Sequence, residues 1–325
     1  MNEVHPSRNT GMDLVRVTES AALAAAHWLG SGDREAAHYA ATRAMASALD
    51  TLDMAGVVVI GEEREVNGRS LLSAGQFLGN KRGPEMDLVV DPIDGTKLLI
   101  KGQPGAISVV SITPKGTLWS PVPAAYMEKI IVDREAAEAL VPECMDAPAA
   151  WTLALVARVK GKAVRDVTVI VLDRPRNAAL IEEIRKTGAH ILLKDEGDAE
   201  GALVTLSPDN GIDLLMGIGG AAQGVLAACA VKAMGGGMLS RLSPQSQQEL
   251  EAVQDAVLDT KRIMTCHELV RTDEIFFAAT GITNSRLLPA VRFQRNMAET
   301  YSLLIRAETG TRRFIHTEHS MKVRL

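Results

Sequence analysis

The sequence MDLVVDPIDGT occupies residues 86–96, where an apolar segment leads directly into two carboxylates, a proline, a glycine and a hydroxyl. The run Leu88-Val89-Val90 favours a buried strand. Because proline has no N–H to donate to a sheet, we expect this strand to end at or near Asp91. Asp91 and Asp94 would then lie at a strand tip and could share Mg²⁺ or Mn²⁺, which prefer oxygen ligands and keep waters for a substrate phosphate. The stretch therefore predicts a metal site, while Pro, Asp and Gly also suit a plain turn.

The composition is that of an ordinary folded chain, with 325 residues of which 46% are hydrophobic and 3% aromatic. Such a chain can bury one large core or two smaller ones. The scarcity of aromatic residues leaves little stacking surface for single-stranded nucleic acid, and the formal net charge of −5 disfavours polyanionic partners. We therefore expect a small-molecule ligand, no nucleic acid, and a local cluster of Arg and Lys if that ligand is anionic.

The cysteines indicate a reducing compartment. Cys144, Cys229 and Cys266 are few, odd in number and widely spaced, which fits neither a disulfide framework nor a thiolate metal site. No charged-then-apolar leader opens the sequence, and no apolar run reaches the roughly 18 residues of a membrane span. These features predict a cytoplasmic protein without a membrane partner.

Helical and strand patterns alternate along the chain, which predicts the α/β class. In the first half we expect helices at 14–29 and 33–49 and strands at 57–60, 86–91 and 106–112. From about residue 151 a parallel α/β unit is expected, with strands at 167–172, 190–193 and 212–216 and helices at 177–186, 198–206 and 221–234. A glycine turn at 217–220, a loop at 235–248, a helix to about residue 264 and a C-terminal hairpin complete the prediction. We accordingly divide the chain into a metal-carboxylate half, 1–150, and a substrate-binding half, 151–325.

Four acidic residues fall at predicted ends of helices and strands: Asp33, Glu62, Asp91 and Asp94. If they converge, their repulsion is tolerable only with cations. A bound metal can also polarise a phosphoryl oxygen and lower the pKa of a bound water. Taken singly, Asp33 equally suits a helix N-cap and Glu62 a solvated loop. Together they strengthen the prediction of a metal site.

The chain resembles class II fructose-1,6-bisphosphatases, collinearly from about residue 14 to residue 313. The resemblance is carried by residues 16–23, 32–33, 59–62, 91–96, 126–129, 217–220 and 279–283. It implies a layered α-β-α-β-α fold of the sugar-phosphatase type, shared with inositol monophosphatases. It also implies hydrolysis of the 1-phosphate of fructose 1,6-bisphosphate in gluconeogenesis and central carbon metabolism. Dependence on Mn²⁺ or Mg²⁺ and a homo-oligomer, dimer or tetramer, are implied as well.

The resemblance assigns roles by position. Asp33 and Glu62 would bind one metal and Asp91 and Asp94 a second, while Thr96 would orient or deprotonate the attacking water. The predicted catalytic residues are Thr96, Asp94 and Glu62. Substrate contacts are implied for Asp94, Gly95, Thr96, Tyr126, Arg174, Pro175, Arg176, Glu196, Gly197, Asp198 and Gly220. The residue types agree, since arginines can pair with the phosphate that is not cleaved and an acidic turn can accept sugar hydroxyls. The two arginines could equally be a solvated loop pair.

Several positions depart from the family pattern. Gln223 stands where the family has a glutamate metal ligand, so one negative charge is lost and affinity for the second metal should fall. Arg64 stands where a carboxylate is usual, and Glu196 replaces an aspartate. A phosphatase acting on another sugar bisphosphate, or a paralogue that binds a sugar phosphate without turnover, therefore stay open. The pattern Gly217-x-Gly219-x-x-Ala222 also fits a relaxed dinucleotide fingerprint.

Overall fold

The computed structural model describes residues 10–62, 71–208 and 210–321. Its helices are α1 (Thr10–Ala26), α2 (Arg34–Leu49), α3 (Thr96–Ile100), α4 (Ala149–Val159), α5 (Ala178–Thr187), α6 (Asp198–Leu206), α7 (Ala221–Met234), α8 (Gln247–Asp255) and α9 (Cys266–Leu269). Its strands are β1 (Ala55–Ile60), β2 (Phe77–Leu78), β3 (Glu85–Asp94), β4 (Ile107–Pro114), β5 (Tyr126–Val132), β6 (Thr168–Leu172), β7 (His190–Lys194), β8 (Leu214–Gly220), β9 (Gly237–Leu242), β10 (Met264–Thr265), β11 (Phe276–Gly281), β12 (Arg292–Gln294), β13 (Met297–Arg306) and β14 (Thr311–Ser320).

The strands form two sheets. The first has the order β12-β13-β11-β4-β3-β1-β2, with β14 pairing the other edge of β13, and the second has the order β10-β9-β5-β8-β6-β7. Both sheets are mixed: β6 runs parallel to β7 and β8, whereas β5 is antiparallel to β8 and β9. The expected parallel unit is thus confirmed for β6, β7 and β8. Strand β5, which the sequence did not predict, joins this unit antiparallel to β8.

Alternate residues of β3 show how the layers stack. Leu88 and Val90 pack with α1 and α2 in one apolar cluster, while Val89 faces the opposite way into the cluster built on α6 and α7. That second cluster also takes Met127 and Leu215 from the second sheet, whose other face packs against α4 and α5. The fold thus has five layers, in the order helices, first sheet, helices, second sheet and helices. Such layers are expected from strands whose side chains alternate between two buried faces. The predicted layered α/β fold is confirmed.

Strand β3 is longer than predicted. It continues past Pro92 to Asp94, and Asp91 pairs with Val109 whereas Asp94 pairs with Ile107. The three-residue advance from Asp91 to Asp94 on β3 therefore lies opposite a two-residue advance on β4. This is a β-bulge, and it accommodates Pro92, which has no N–H to donate within the sheet. Ending the strand at Asp91 was wrong, and both aspartates lie in the strand itself.

Three other boundaries also differ from the prediction. The glycines at 217–220 belong to β8 rather than to a turn, so the loop of a dinucleotide fingerprint is not formed. Residues 237–242 form β9 instead of a loop, and α8 ends at Asp255, short of residue 264. Glycine favours turns locally, but here it allows close packing: a Cβ on Gly237 would lie 2.8 Å from Cα of Ala137.

The two sheets do not divide at residue 150, since β5 lies in the second sheet and β11 to β14 return to the first. Sheet membership does not test the division into a metal-carboxylate half, 1–150, and a substrate-binding half, 151–325, and that division stays a prediction. Arg64 lies outside the described residues. Among the helices of the described ranges, none combines the length and the apolar composition of a membrane span. The three cysteines are buried and form no disulfide.

Candidate active site

A cavity of about 490 Å³ brings most of the predicted site residues together. Its lining includes Glu62, Asp91, Asp94, Gly95, Thr96, Tyr126, Arg174, Arg176, Glu196, Gly197, Asp198, Gly220 and Gln223. These residues come from β3, β5 and β8, from the first turns of α3, α6 and α7, and from the segments that follow β1, β6 and β7. The cavity therefore joins acidic and basic groups that are far apart in the sequence.

Two predicted residues, Asp33 and Pro175, are not among the lining residues. Asp33 is exposed and caps α2, because its Oδ1 accepts a hydrogen bond from the Ala36 N–H at 3.0 Å. Pro175 opens a short 3-10 helix, Pro175–Asn177, that carries Arg176. The roles of Asp33 in metal binding and of Pro175 in substrate binding stay predictions.

Asp91 and Asp94 are both buried. Asp91 accepts hydrogen bonds from the Ile93 N–H at 3.1 Å and from Nε2 of Gln223 at 3.1 Å. Burial, with repulsion from Glu62, raises the pKa of Asp91 to about 7. Burial, with repulsion from Asp91, raises the pKa of Asp94 well above its usual value, against a hydrogen bond of 2.9 Å from the Glu200 N–H to its Oδ2. Burial and mutual repulsion therefore both disfavour the ionised form of these two carboxyl groups.

Thr96 follows directly after the two aspartates. Gly95 has φ of 93°, a left-handed conformation that glycine adopts at little cost, and it turns the chain from β3 into α3. Thr96 is the first residue of α3, and its hydroxyl donates a hydrogen bond of 3.2 Å to the Ile93 carbonyl. The turn thus presents the Thr96 hydroxyl to the cavity beside Asp94.

The donor types in the cavity fit a hard divalent cation. Glu62, Asp91 and Asp94 offer carboxylate oxygens and Gln223 an amide oxygen. A cation would also relieve the repulsion that raises the pKa of both aspartates. Within the described ranges no three His, Cys, Asp or Glu side chains already converge as a metal-binding group. For Gln223 to offer its amide oxygen to a cation beside Asp91, its amide would have to turn, because its Nε2 now faces Asp91.

The other part of the cavity is basic and aromatic. Nε of Arg176 donates to the Ile218 carbonyl at 3.0 Å, and its guanidinium lies 4.6 Å from the ring centroid of Tyr126. Arg174 lies 3.6 Å from Oε1 of Glu196, whose Oε2 accepts from the Lys97 N–H at 2.8 Å. Two fixed guanidinium groups suit a bidentate anion such as a phosphate.

Comparison with known proteins supports the same class. A family model described as "Bacterial fructose-1,6-bisphosphatase, glpX-encoded" matches residues 8–319. The chain belongs to this family. A Haemophilus influenzae protein named fructose-1,6-bisphosphatase class 2 is 37% identical, over 96% of both chains. An Escherichia coli K12 protein named fructose-1,6-bisphosphatase 1 class 2 is 35% identical, over 96% of this chain and 95% of its own. The predicted family and the class of phosphoric monoester hydrolases are confirmed.

Lys129, which sequence reasoning missed, does not line the cavity but supports it by pairing with the lining residue Asp198. Its Nζ lies 2.6 Å from Oδ2 of Asp198, and their side chains are only 1% and 6% exposed. A Cβ on Gly219 would lie 1.9 Å from the same Oδ2, so only glycine fits there. Lys129 was within reach of the sequence, since it is a charged residue in the otherwise largely apolar segment that forms β5. Its partner, 69 positions away, gave no local signal.

His38 is a second residue that was missed. It lines the cavity from α2, and its Nε2 lies 3.4 Å from Oε2 of Glu62. The helical pattern predicted only a packed or surface histidine. Placing it required the end of β1 to meet α2, which only the folded chain shows.

Proposed function

We propose that this protein hydrolyses the 1-phosphate of fructose 1,6-bisphosphate, with Mg²⁺ or Mn²⁺ held at Asp91 and Asp94. The observation that carries the proposal is one cavity with buried carboxylates and two arginines among its lining residues. The first group suits a metal and the phosphate that is cleaved, and the second suits the phosphate that is retained. The names of the relatives supply the substrate.

Glu62, Asp91 and Asp94, with the amide of Gln223 and with Asp33, are the residues that would hold the metal. When bound, it supplies charge neutralisation at the phosphate and a water of lowered pKa. Thr96 orients the attacking water: its hydroxyl already donates to the Ile93 carbonyl, so its oxygen is left to accept from the water. Asp94 and Glu62 line the same cavity and can take the proton that the water gives up.

The remaining residues position the sugar. Arg174 and Arg176 bind the retained phosphate, and Tyr126 keeps the Arg176 guanidinium in place by stacking beneath it. Glu196 and Asp198 accept bonds from sugar hydroxyls. The glycines at 95, 197 and 220 allow backbone N–H groups to approach the substrate, and no side chain caps the helix that follows Gly220. We further propose a cytoplasmic homo-oligomer that serves gluconeogenesis.

Phosphate release from fructose 1,6-bisphosphate with Mn²⁺ or Mg²⁺ tests this proposal on wild type, Thr96→Ala and Thr96→Ser. We expect kcat to fall by about 10²-fold or more in Thr96→Ala and to be largely kept in Thr96→Ser, because serine retains the hydroxyl. Equal rates in wild type and Thr96→Ala would refute the role of Thr96. Tight binding of the bisphosphate without release by the wild type would replace the proposal with a binding paralogue.

A further inference from the structure

His38 brings an imidazole ring into a cavity whose other candidate metal ligands are oxygen donors. It lies on the buried face of α2 and is only 6% exposed. Ala37 and Ala41, its neighbours on that face, pack in the apolar cluster beside the first sheet, whereas His38 lines the cavity. The fold thus places a nitrogen donor in the wall where the acidic residues gather.

The contact between His38 and Glu62 has the spacing of two ligands on one ion. Nε2 of His38 lies 3.4 Å from Oε2 of Glu62. Two ligand atoms that each lie about 2.1 Å from one ion, at tetrahedral to octahedral angles, are about 3.0–3.4 Å apart. Glu62 follows β1 and His38 lies on α2, so the two donor atoms come from different elements of the fold.

Glu62 also connects His38 to the buried aspartates. Burial and the charge of Glu62 raise the pKa of Asp91 to about 7, so these two carboxyl groups are close enough to repel each other. All three residues line one cavity. Since no three such side chains within the described ranges already converge as a metal-binding group, an ion would draw in its third ligand by rotation of a side chain. An ion bound by Glu62 can therefore take further ligands from His38 and Asp91.

This set of donors bears on which ion is preferred. Mg²⁺ demands oxygen ligands and loses its waters reluctantly, whereas first-row transition ions also accept the nitrogen of an imidazole. His38 and Gln223 add donor atoms to the cavity without adding negative charge. A hard ion such as Mg²⁺ therefore gains little from either residue, while a transition ion gains a bond to nitrogen.

We propose that His38 binds the metal through Nε2 and that the site therefore prefers Mn²⁺, a first-row transition ion, to Mg²⁺. The inference rests on the proposed function, from which it takes an ion at the carboxylates, and it adds a ligand atom and a selectivity. Nε2 can bind a metal when the ring is neutral and carries its proton on Nδ1. Mg²⁺ still binds through the carboxylates, at higher concentration.

Electron–nuclear double resonance of the Mn²⁺-loaded full chain tests the ligand without reference to activity. The wild type is prepared with ordinary histidine and with histidine whose ring carries a heavy nitrogen isotope. A nitrogen bound to Mn²⁺ gives a hyperfine coupling that depends on the isotope, so the coupling should change on labelling. It should be lost in His38→Ala and kept in His316→Gln. His316 is the matched control, because its Nε2 lies 3.5 Å from Oε2 of Glu299 but neither residue lines the cavity.

Calorimetric titration of the metal-free protein with Mn²⁺ and with Mg²⁺ tests the selectivity. His38→Ala should weaken Mn²⁺ binding about tenfold or more and leave Mg²⁺ binding nearly unchanged, because only Mn²⁺ uses the nitrogen. His38→Asp should instead strengthen Mg²⁺ binding, because it replaces the nitrogen donor with a carboxylate. Far-UV circular dichroism checks that each variant is folded, and the isotope experiment on the wild type needs no variant.

Binding of Mn²⁺ by the wild type with no change on histidine labelling would overturn the inference and leave the proposed function standing. Equal losses of Mn²⁺ and Mg²⁺ affinity in His38→Ala would overturn it as well, since they would mean that His38 only positions Glu62. A wild type that binds neither ion would overturn both the inference and the metal dependence of the proposed function. The two failures are therefore distinguishable.

Discussion

Gln223 donates a hydrogen bond from its Nε2 to Oδ2 of Asp91 over 3.1 Å. This bond joins α7 to β3 across 132 positions of sequence, and it acts on Asp91 against burial and against Glu62, both of which raise the pKa of that carboxyl. The neutral amide of Gln223 thus partly stabilises the charged form of the buried Asp91. A glutamate at position 223 would instead repel Asp91 unless a metal ion lay between them.

The substitution Gln223→Glu should make the protein more dependent on metal. It removes the donor to Asp91 and adds a second anion, so the melting temperature in EDTA should fall. The added carboxylate should raise the affinity for Mn²⁺, and it should raise turnover when Mn²⁺ is saturating. Calorimetry with and without Mn²⁺ measures the difference. Gln223→Leu, which removes the donor without adding charge, is the matched control. A metal-induced shift no larger than that of the wild type would show that Gln223 is not at a ligand position.

The stability of the metal-free protein should depend on pH through Asp91. Burial and repulsion from Glu62 raise its pKa from the ordinary value of an aspartate to about 7 in the folded state, so between these two values the folded state binds more protons than the unfolded state. The free energy of unfolding should therefore fall as pH rises through this window, by at most about 1.4 kcal/mol per pH unit for this group. Denaturant titrations in EDTA should show a shallower decline for Asp91→Asn. Parallel curves for the two proteins would contradict the prediction.

The buried pair of Lys129 and Asp198 should be needed for folding stability as a pair. Lys129→Met leaves Asp198 charged and buried without a partner, which should cost about 3–5 kcal/mol of unfolding free energy. Adding Asp198→Asn should recover much of this loss, because the remaining pair is neutral. The double variant should still bind substrate weakly, since the acceptor carboxylate is gone. Urea unfolding and KM together test this, and a double variant no more stable than Lys129→Met would refute it.

Arg176 should act mainly on substrate binding. Arg176→Lys loses both the Nε bond to the Ile218 carbonyl and the planar group over Tyr126. We expect KM to rise about tenfold with kcat nearly unchanged, as for a group that binds ground state and transition state alike. Arg185→Lys, on the exposed side of α5, is the control and should match the wild type. An unchanged KM for Arg176→Lys would place the retained phosphate elsewhere.

The sequence predicted what is encoded locally. The Asp91 to Thr96 string contains both acids, the left-handed glycine and the hydroxyl within six residues, and Asp33 is the N-cap that its residue type favours. The contacts of Lys129 and His38 were missed because their partners come from other elements. The glycines at 217–220 favour a turn locally, whereas Gly219 lies in a strand, where its missing side chain leaves room for the Asp198 carboxylate. The environments of these residues depend on contacts between elements that are distant in sequence, and a local sequence pattern does not encode such contacts.

The most direct test of the proposed function is phosphorus NMR of fructose 1,6-bisphosphate incubated with the diamagnetic Mg²⁺ and the wild type, beside an Asp91→Ala control. This measurement identifies both the released phosphate and the phosphate that remains on the sugar. We predict inorganic phosphate and fructose 6-phosphate with the wild type and neither with Asp91→Ala. Fructose 1-phosphate as the product, no release by the wild type, or equal release by both proteins would contradict the proposed function.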